Sequence, residues 1–373
     1  MKIYCIKLDA MPFNNEVLLL QKKVKGYLQR QVAGLFTINA CIQLFTGKVT
    51  CSLTPKGIGY HNWMDSKRDN GRVNFDWEKE FIQFYLEEKK FNFISRNVLG
   101  LYLVYGLDKY NFLMKDSSTV MDRFDKNKWV LPTRWSSEIA QSILIGTGEK
   151  AAQAINDEIE YVKKIQSRKV KGNEFYFISY NHYHIACQWG ANSPAQLKNA
   201  QKRAWKNAFD VLKCWDFEEE DALFWFFSDH GAWFHPSITA NPLPDHYFVW
   251  NIVKDNTGSK IKPPQVMSIQ DFPKAIKNIV ENKKVFEPYS KDRIFLTEDG
   301  RAAIDATRMT TAIACQVDLE QRQLRHTSYH LGNKKFVHKR TFLDDKGFIL
   351  KTENGKRWLW QEEELKNNFD WVV

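Results

Sequence analysis

The chain has 373 residues, 43% of them hydrophobic and 14% aromatic, and a formal net charge of +10. That length builds one large domain, or one large and one small, and no run of about 18 apolar residues occurs that would form a membrane-spanning helix. The basic residues are dispersed without a helix-turn-helix, RNA-recognition or zinc-finger pattern, so the charge reads as a lysine-rich solvated exterior, with attraction of an anionic substrate as one alternative and nucleic-acid binding as a weaker one.

From the N-terminus, Met1 to Asp9 alternates like a strand and lacks the apolar core of a signal peptide. The six cysteines (Cys5, Cys41, Cys51, Cys187, Cys214, Cys315) form no Cys-x-x-Cys pair, which fits reduced thiols in a cytoplasmic protein. Residues 16–32 are rich in Leu, Val, Lys and Gln and are expected to be helical; Thr46-Gly47-Lys48 and Gly57-Ile58-Gly59 mark tight turns. Asp76 is placed as the N-cap of an amphipathic helix over 76–92, and 98–115 as one or two strands. Helical spacing returns over 135–167. Glu174 to Tyr180 is a short apolar strand running into Asn181-His182-Tyr183-His184.

Residues 194–214 form a helix, with Pro194 near its start and one stripe from Leu197, Ala200, Ala204, Ala208, Val211 and Leu212. Ala222 to Phe227 reads as a fully buried strand, Tyr247 to Val253 as another, and 270–281 as a helix. Strands alternating with helices predict an α/β domain over residues 1–288, built on a mainly parallel central sheet flanked by helices. The tail, 289–373, differs: 310–317, 324–331, 335–342 and 347–352 alternate between turns and predict a small antiparallel sheet, with a last helix near 360–370. No low-complexity linker separates the two, so the tail is expected to pack on the first domain.

The chemistry gathers at strand ends. Ser228-Asp229-His230-Gly231 follows a buried strand, at the end of an open α/β sheet where ligands bind. An adjacent carboxylate and imidazole suit Zn²⁺ or Mn²⁺, and Gly231 permits a sharp turn or close approach to a ligand; an ordinary Asx turn is the plainer reading. Asp9 and the stretch Asn181 to His184 end two further strands. A hydroxyl ahead of a short helix in Phe36 to Lys48 is a sensible nucleophile, since a helix N-terminus favours an anion.

Four segments in this order resemble the alkaline phosphatase/sulfatase superfamily: the strand ending in Asp9, Leu44-Phe45-Thr46-Gly47, Ser228-Asp229-His230-Gly231, and Val266-Met267-Ser268-Ile269-Gln270-Asp271-Phe272-Pro273. The antiparallel tail matches the family layout, whereas residues 60–170 match nothing specific. The resemblance puts the nucleophile ten positions before Gly47, at Thr37. Threonine cannot become formylglycine, so it points to the phosphodiesterases and the phosphoglycerol and phosphoethanolamine transferases. Cys41, as a sulfatase-type cysteine, has the wrong offset, and Thr37 as a plain helix N-cap is the structural alternative.

The resemblance further implies a divalent ion held by Asp9, Thr37, Asp229 and His230, with Mn²⁺ or Zn²⁺ ahead of Mg²⁺ or Ca²⁺. Two-zinc members carry Asp-x-x-x-His at the third strand end; here Tyr180 stands four residues before His184, so one ion is expected, with His184 catalytic and His182 facing the substrate. His246 and Lys56 are further substrate-binding candidates, and His61 and His235 weaker ones; His326, His330 and His338 read as structural. The expected function is a metal-dependent hydrolase or transferase of phosphate esters working through a covalent phospho-enzyme. The substrate is expected to be an anionic ester such as a glycan or small phosphoester, with no nucleic acid involved. The alternatives are a sulfuric ester hydrolase and a non-catalytic ligand-binding protein on the same fold.

Overall fold

The structure, a computed structural model, describes residues 1–34, 40, 43–44, 47, 91–97, 145–169, 171–189, 194–231, 243–259, 262–281, 285–298, 311–330, 333–369 and 372. A seven-stranded sheet organises the first part. Its strands are β1 (Lys2–Leu8), β2 (Tyr27–Val32), β3 (Phe91–Asn97), β4 (Asn173–Tyr180), β5 (Ala222–Phe227), β6 (Phe248–Asp255) and β7 (Val266–Ser268), in the spatial order β3-β4-β1-β5-β6-β2-β7. The helices are α1 (Asn15–Val24), α2 (Glu149–Ser167), α3 (His182–Trp189), α4 (Pro194–Leu212), α5 (Pro244–Tyr247) and α6 (Phe272–Val280). β3, β4, β1 and β5 run parallel, as do β2 and β7. Every residue of β1 and β5 is buried, which is why β5 reads as an unbroken apolar run, whereas β1 keeps Lys2 and Lys7 inside its buried length.

The helix expected over 16–32 is corrected. Periodicity suggested one helix across 16–32, but α1 stops at Val24. Lys25 turns left-handed (φ 55°) and donates its N–H to the Gln21 carbonyl at 2.8 Å, and Tyr27–Val32 is a strand. Gly26 explains the switch: a Cβ there would lie 2.8 Å from the Val253 carbonyl oxygen, so the chain grazes β6 as it joins it. β6 itself lies antiparallel to both β5 and β2, so its N-terminal end, not its C-terminal end, shares the edge of the sheet where β1 and β5 finish. The helix placed over 76–92 falls outside the described residues up to 90; Phe91 and Asn92 belong to β3. The strands placed over 98–115 also lie outside them.

The tail forms a five-stranded antiparallel sheet of β8 (Phe295–Glu298), β9 (Thr311–Asp318), β10 (Gln323–His330), β11 (Lys335–Leu343) and β12 (Ile349–Asn354), and α7 (Leu359–Asn368) packs on it. β8 is a strand the alternation did not reveal. Val32, Phe248 and Val266 of the first sheet share one apolar cluster with Phe295, Ile313, Val317, Leu324 and Leu343 of the second. His338 bridges Thr327 and Glu362, and His326 Nδ1 lies 2.7 Å from the Tyr247 hydroxyl. Among the described residues no helix is long and apolar enough to cross a membrane.

Arg30 ties the sheets together. Its guanidinium is buried, donates to the Val249 and Phe248 carbonyls at 3.0 and 2.5 Å and to the Gly347 carbonyl, and lies between the Phe13 and Phe248 rings. Replacing it with Met keeps the stem and strands two buried acceptors, on Val249 and Phe248, and a part-buried one on Gly347. Arg30→Met is expected to cost about 3 kcal/mol, read as a lower denaturation midpoint, with faster proteolysis around 344–347.

Candidate metal centre

The register of three parallel strands builds the centre. Lys7 of β1 pairs with Ser179 of β4 and with Phe227 of β5. Side chains two apart on a strand share a face, so Asp9, Asn181 and Asp229, each two residues beyond those positions, meet on one side at the carboxyl ends. Local bonds hold the ends in place. The Ala10 N–H donates to Asp229 Oδ1 at 3.2 Å and the Met11 N–H to the Ser228 hydroxyl at 3.1 Å, and that hydroxyl donates to the His230 carbonyl at 2.6 Å. Ala10 takes a left-handed conformation (φ 59°) to make the turn, which costs a residue with a Cβ about 1–2 kcal/mol.

Asp9, His184 and His230 converge. Each offers a ligand atom within 4.8 Å of the others, and all three are buried. His184, the third residue of α3, brings Nδ1 to 2.9 Å from Asp9 Oδ1, and His230 Nε2 lies 3.5 Å from the same oxygen. Asp229 stands beside the group with its oxygens committed: Oδ1 accepts the Ala10 and His230 N–H groups and Oδ2 faces Lys7.

Lys7 is what sequence reading missed. Its buried ammonium lies 2.6 Å from Asp9 Oδ2 and 3.2 Å from Asp229 Oδ2. Lys-x-Asp at the end of a strand puts both charges on one face, but does not show which face, nor that it is buried. Burial alone would push the Asp9 carboxyl up, but the Lys7 ammonium, then His184 and His230, hold it well below the ordinary carboxylate range. His230 is pushed down by burial and more than restored by Asp229 and Asp9, so it titrates above a free imidazole.

The other predicted residues divide. His182 is buried, its Nδ1 has no hydrogen-bond partner, and burial pushes its imidazole down to about 3, so it is neutral at physiological pH. His246, in α5, reaches the centre through its backbone: its carbonyl accepts the Gly231 N–H at 2.8 Å, while its ring Nδ1 accepts the Leu243 N–H at 3.4 Å. Thr37, Lys56, His61 and His235 lie outside the described residues. Ala40, Gln43 and Leu44 of the nucleophile segment are helical and buried, and Gly47 (φ 67°) donates its N–H to the Gln43 carbonyl. Tyr180, four residues before His184, directs its hydroxyl to Glu158 of α2 at 3.5 Å. Gly231 serves a close approach of protein backbone: a Cβ there would lie 1.6 Å from the Asp245 carbonyl oxygen.

One carboxylate and two imidazoles, buried beside a second carboxylate, suit a borderline divalent ion such as Zn²⁺ or Mn²⁺, so the residues present fit the implied metal.

No family model and no curated protein matches the chain. Among solved structures it is similar to an alkaline phosphatase superfamily protein of Vibrio parahaemolyticus, at 10% identity and TM-score 0.52, over 100% of this chain and 88% of that one. Weaker likenesses are to the phosphoglycerol transferase of Streptococcus pyogenes (13% identity, TM-score 0.45, 76% and 75% of the two chains) and a phosphonate monoester hydrolase of Agrobacterium radiobacter (10%, 0.44, 91% and 88%). The architecture is that of the alkaline phosphatase superfamily; this rests on the first of these structures and on the sheet described above.

Two substitutions probe the scaffold of the centre. Ala10→Gly is expected to stabilise the protein by about 1 kcal/mol by relieving the left-handed turn, read from urea denaturation. Gly231→Ala drives a methyl group into the α5 backbone and is expected to cost about 3 kcal/mol; a midpoint unchanged from the parent would contradict the packing of α5 against the His230 turn.

Proposed function

We propose that the chain is a metal-dependent enzyme acting on phosphate esters, a hydrolase or phosphotransferase with Thr37 as nucleophile. The observation that carries this reading is the convergence of Asp9, His184 and His230 at the carboxyl ends of β1 and β5 and the start of α3, on this fold. The sequence register adds Thr37. In this reading Asp9, His184 and His230 hold the ion with Asp229 close by, which makes His184 a ligand first.

A divalent ion bound there supplies Lewis-acid charge that favours a deprotonated nucleophile and offsets charge on the phosphoryl oxygens. The Thr37 oxygen bonds to phosphorus as the bond to the departing alcohol breaks, and the alcohol leaves with a proton. Water, or a second alcohol, then attacks phosphorus and restores the threonine hydroxyl. His182, neutral, buried and two residues from His184 in the chain, suits donation of a hydrogen bond to a phosphoryl oxygen, and Lys56 attraction of the anionic ester. A glycan ester or a small phosphoester fits these groups.

Lys7 favours a second reading. Both carboxylates of the centre already have an ammonium partner, as in a protein that binds its ligand on this fold without turnover. The two separate in one experiment. With Mn²⁺ or Zn²⁺ present, an aryl phosphomonoester, a phosphodiester, a phosphonate ester and a sulfate ester are tested on the parent protein and on Thr37→Ala. The enzyme reading expects turnover of a phosphorus ester, loss of at least about a hundredfold in the folded variant, and loss on chelation. Full activity in Thr37→Ala removes the nucleophile, preference for the sulfate ester selects the sulfuric ester hydrolase, and no turnover with any ester supports the binding protein.

A further inference from the structure

The contacts around Asp9 and Asp229 separate into two sides. On one side Asp9 Oδ1 faces His184 Nδ1 at 2.9 Å and His230 Nε2 at 3.5 Å. On the other, Asp9 Oδ2 and Asp229 Oδ2 point at a single spot, and Lys7 Nζ fills it, 2.6 and 3.2 Å away. Among the described residues this is where two carboxylate oxygens of the centre close on one cation. Lys7 is 2% exposed and anchored mid-sheet by its strand pairings. It cannot swing out to solvent without leaving two buried carboxylates with one positive partner fewer.

We propose that Lys7 is a built-in second cation: its ammonium holds the Oδ2 side of Asp9 and Asp229, so that the centre takes one divalent ion, on the Asp9 Oδ1, His184 and His230 side, and no second. The charge count supports this. Two carboxylates and one ammonium leave one net negative charge, which one divalent ion reverses; a second ion would sit against an ammonium and make the buried pocket strongly positive. Tyr180 supports it independently, since the residue four before His184 turns its hydroxyl to Glu158 and brings no further carboxylate to the centre. Lys7 is thus a positioning residue that fixes the two aspartates and the metal stoichiometry, and the proposal rests on the metal reading above.

The test counts ions. Protein stripped with a chelator is dialysed against Mn²⁺ or Zn²⁺, and bound metal is measured by mass spectrometry and by calorimetry. One equivalent is expected in the parent protein, two in Lys7→Ala, where the cation position opens, and none bound tightly in His230→Ala. Lys7→Met keeps the stem but removes the charge, and is expected to bind its single ion at least about tenfold more tightly, with a metal-free form that melts lower. Two ions in the parent protein, or an unchanged count in Lys7→Ala together with unchanged affinity in Lys7→Met, overturns the role of Lys7 while the metal reading stands. No ion in the parent protein overturns both. Should Lys7→Ala fail to fold, the parent stoichiometry and the Lys7→Met affinity decide.

Discussion

Parallel pairing of β1 with β5 brings Asp9 and Asp229 side by side where water is excluded, and the rest of the centre follows from that constraint. Two like charges in a buried pocket repel strongly, and the protein answers with fixed partners. Lys7 takes the inner oxygens, backbone N–H groups of Ala10 and His230 take the outer oxygen of Asp229, and the histidines crowd the outer oxygen of Asp9. The left-handed turn at Ala10 and the side-chain-free approach at Gly231 are local strains the surrounding sheet sustains to keep that arrangement.

Much of this was legible in the chain. Asp9, Asp229 and His230 stand at the ends of apolar runs that are strands, and Glu174 to Tyr180 delivers His184 a turn later. Strand-end chemistry is readable because a buried parallel strand tolerates polar groups chiefly where it stops. Lys7 was not readable in the same way. A lysine inside an alternating segment looks like an outward face, and only the burial of every residue of β1 shows that both faces of the strand are covered. The antiparallel course of β6 was hidden for a related reason: strand direction leaves no trace in composition. The break between α1 and β2 was hidden because helix-favouring Leu, Lys and Gln continue across it, while tertiary pairing with β6 decides the outcome.

The division of labour among histidines also depends on surroundings rather than sequence. His182 and His184 are two residues apart at the start of one helix. One faces Asp9 at hydrogen-bond distance, and the other is enclosed with its ring nitrogen unpaired and its charge suppressed. His246, a substrate-binding candidate by position, accepts the Leu243 N–H at its ring Nδ1 and the Gly231 N–H at its carbonyl.

Arg30 gives the molecule a seam that cannot be cut cleanly. The tail follows the first sheet in sequence, and its own strands pair among themselves, as an appended module would. Yet Gly347 lends a carbonyl to Arg30, Thr297 donates to the Ala33 carbonyl at 2.8 Å, and His326 meets the Tyr247 hydroxyl. Ala33 and Tyr247 are themselves joined, by the Ala33 N–H to the Tyr247 carbonyl at 2.8 Å, and Tyr247 follows the residue whose carbonyl steadies Gly231. Shuffling this tail for another of the same shape would therefore have to reproduce these specific polar contacts, and recombination within the fold is constrained by hydrogen bonds as well as by outline.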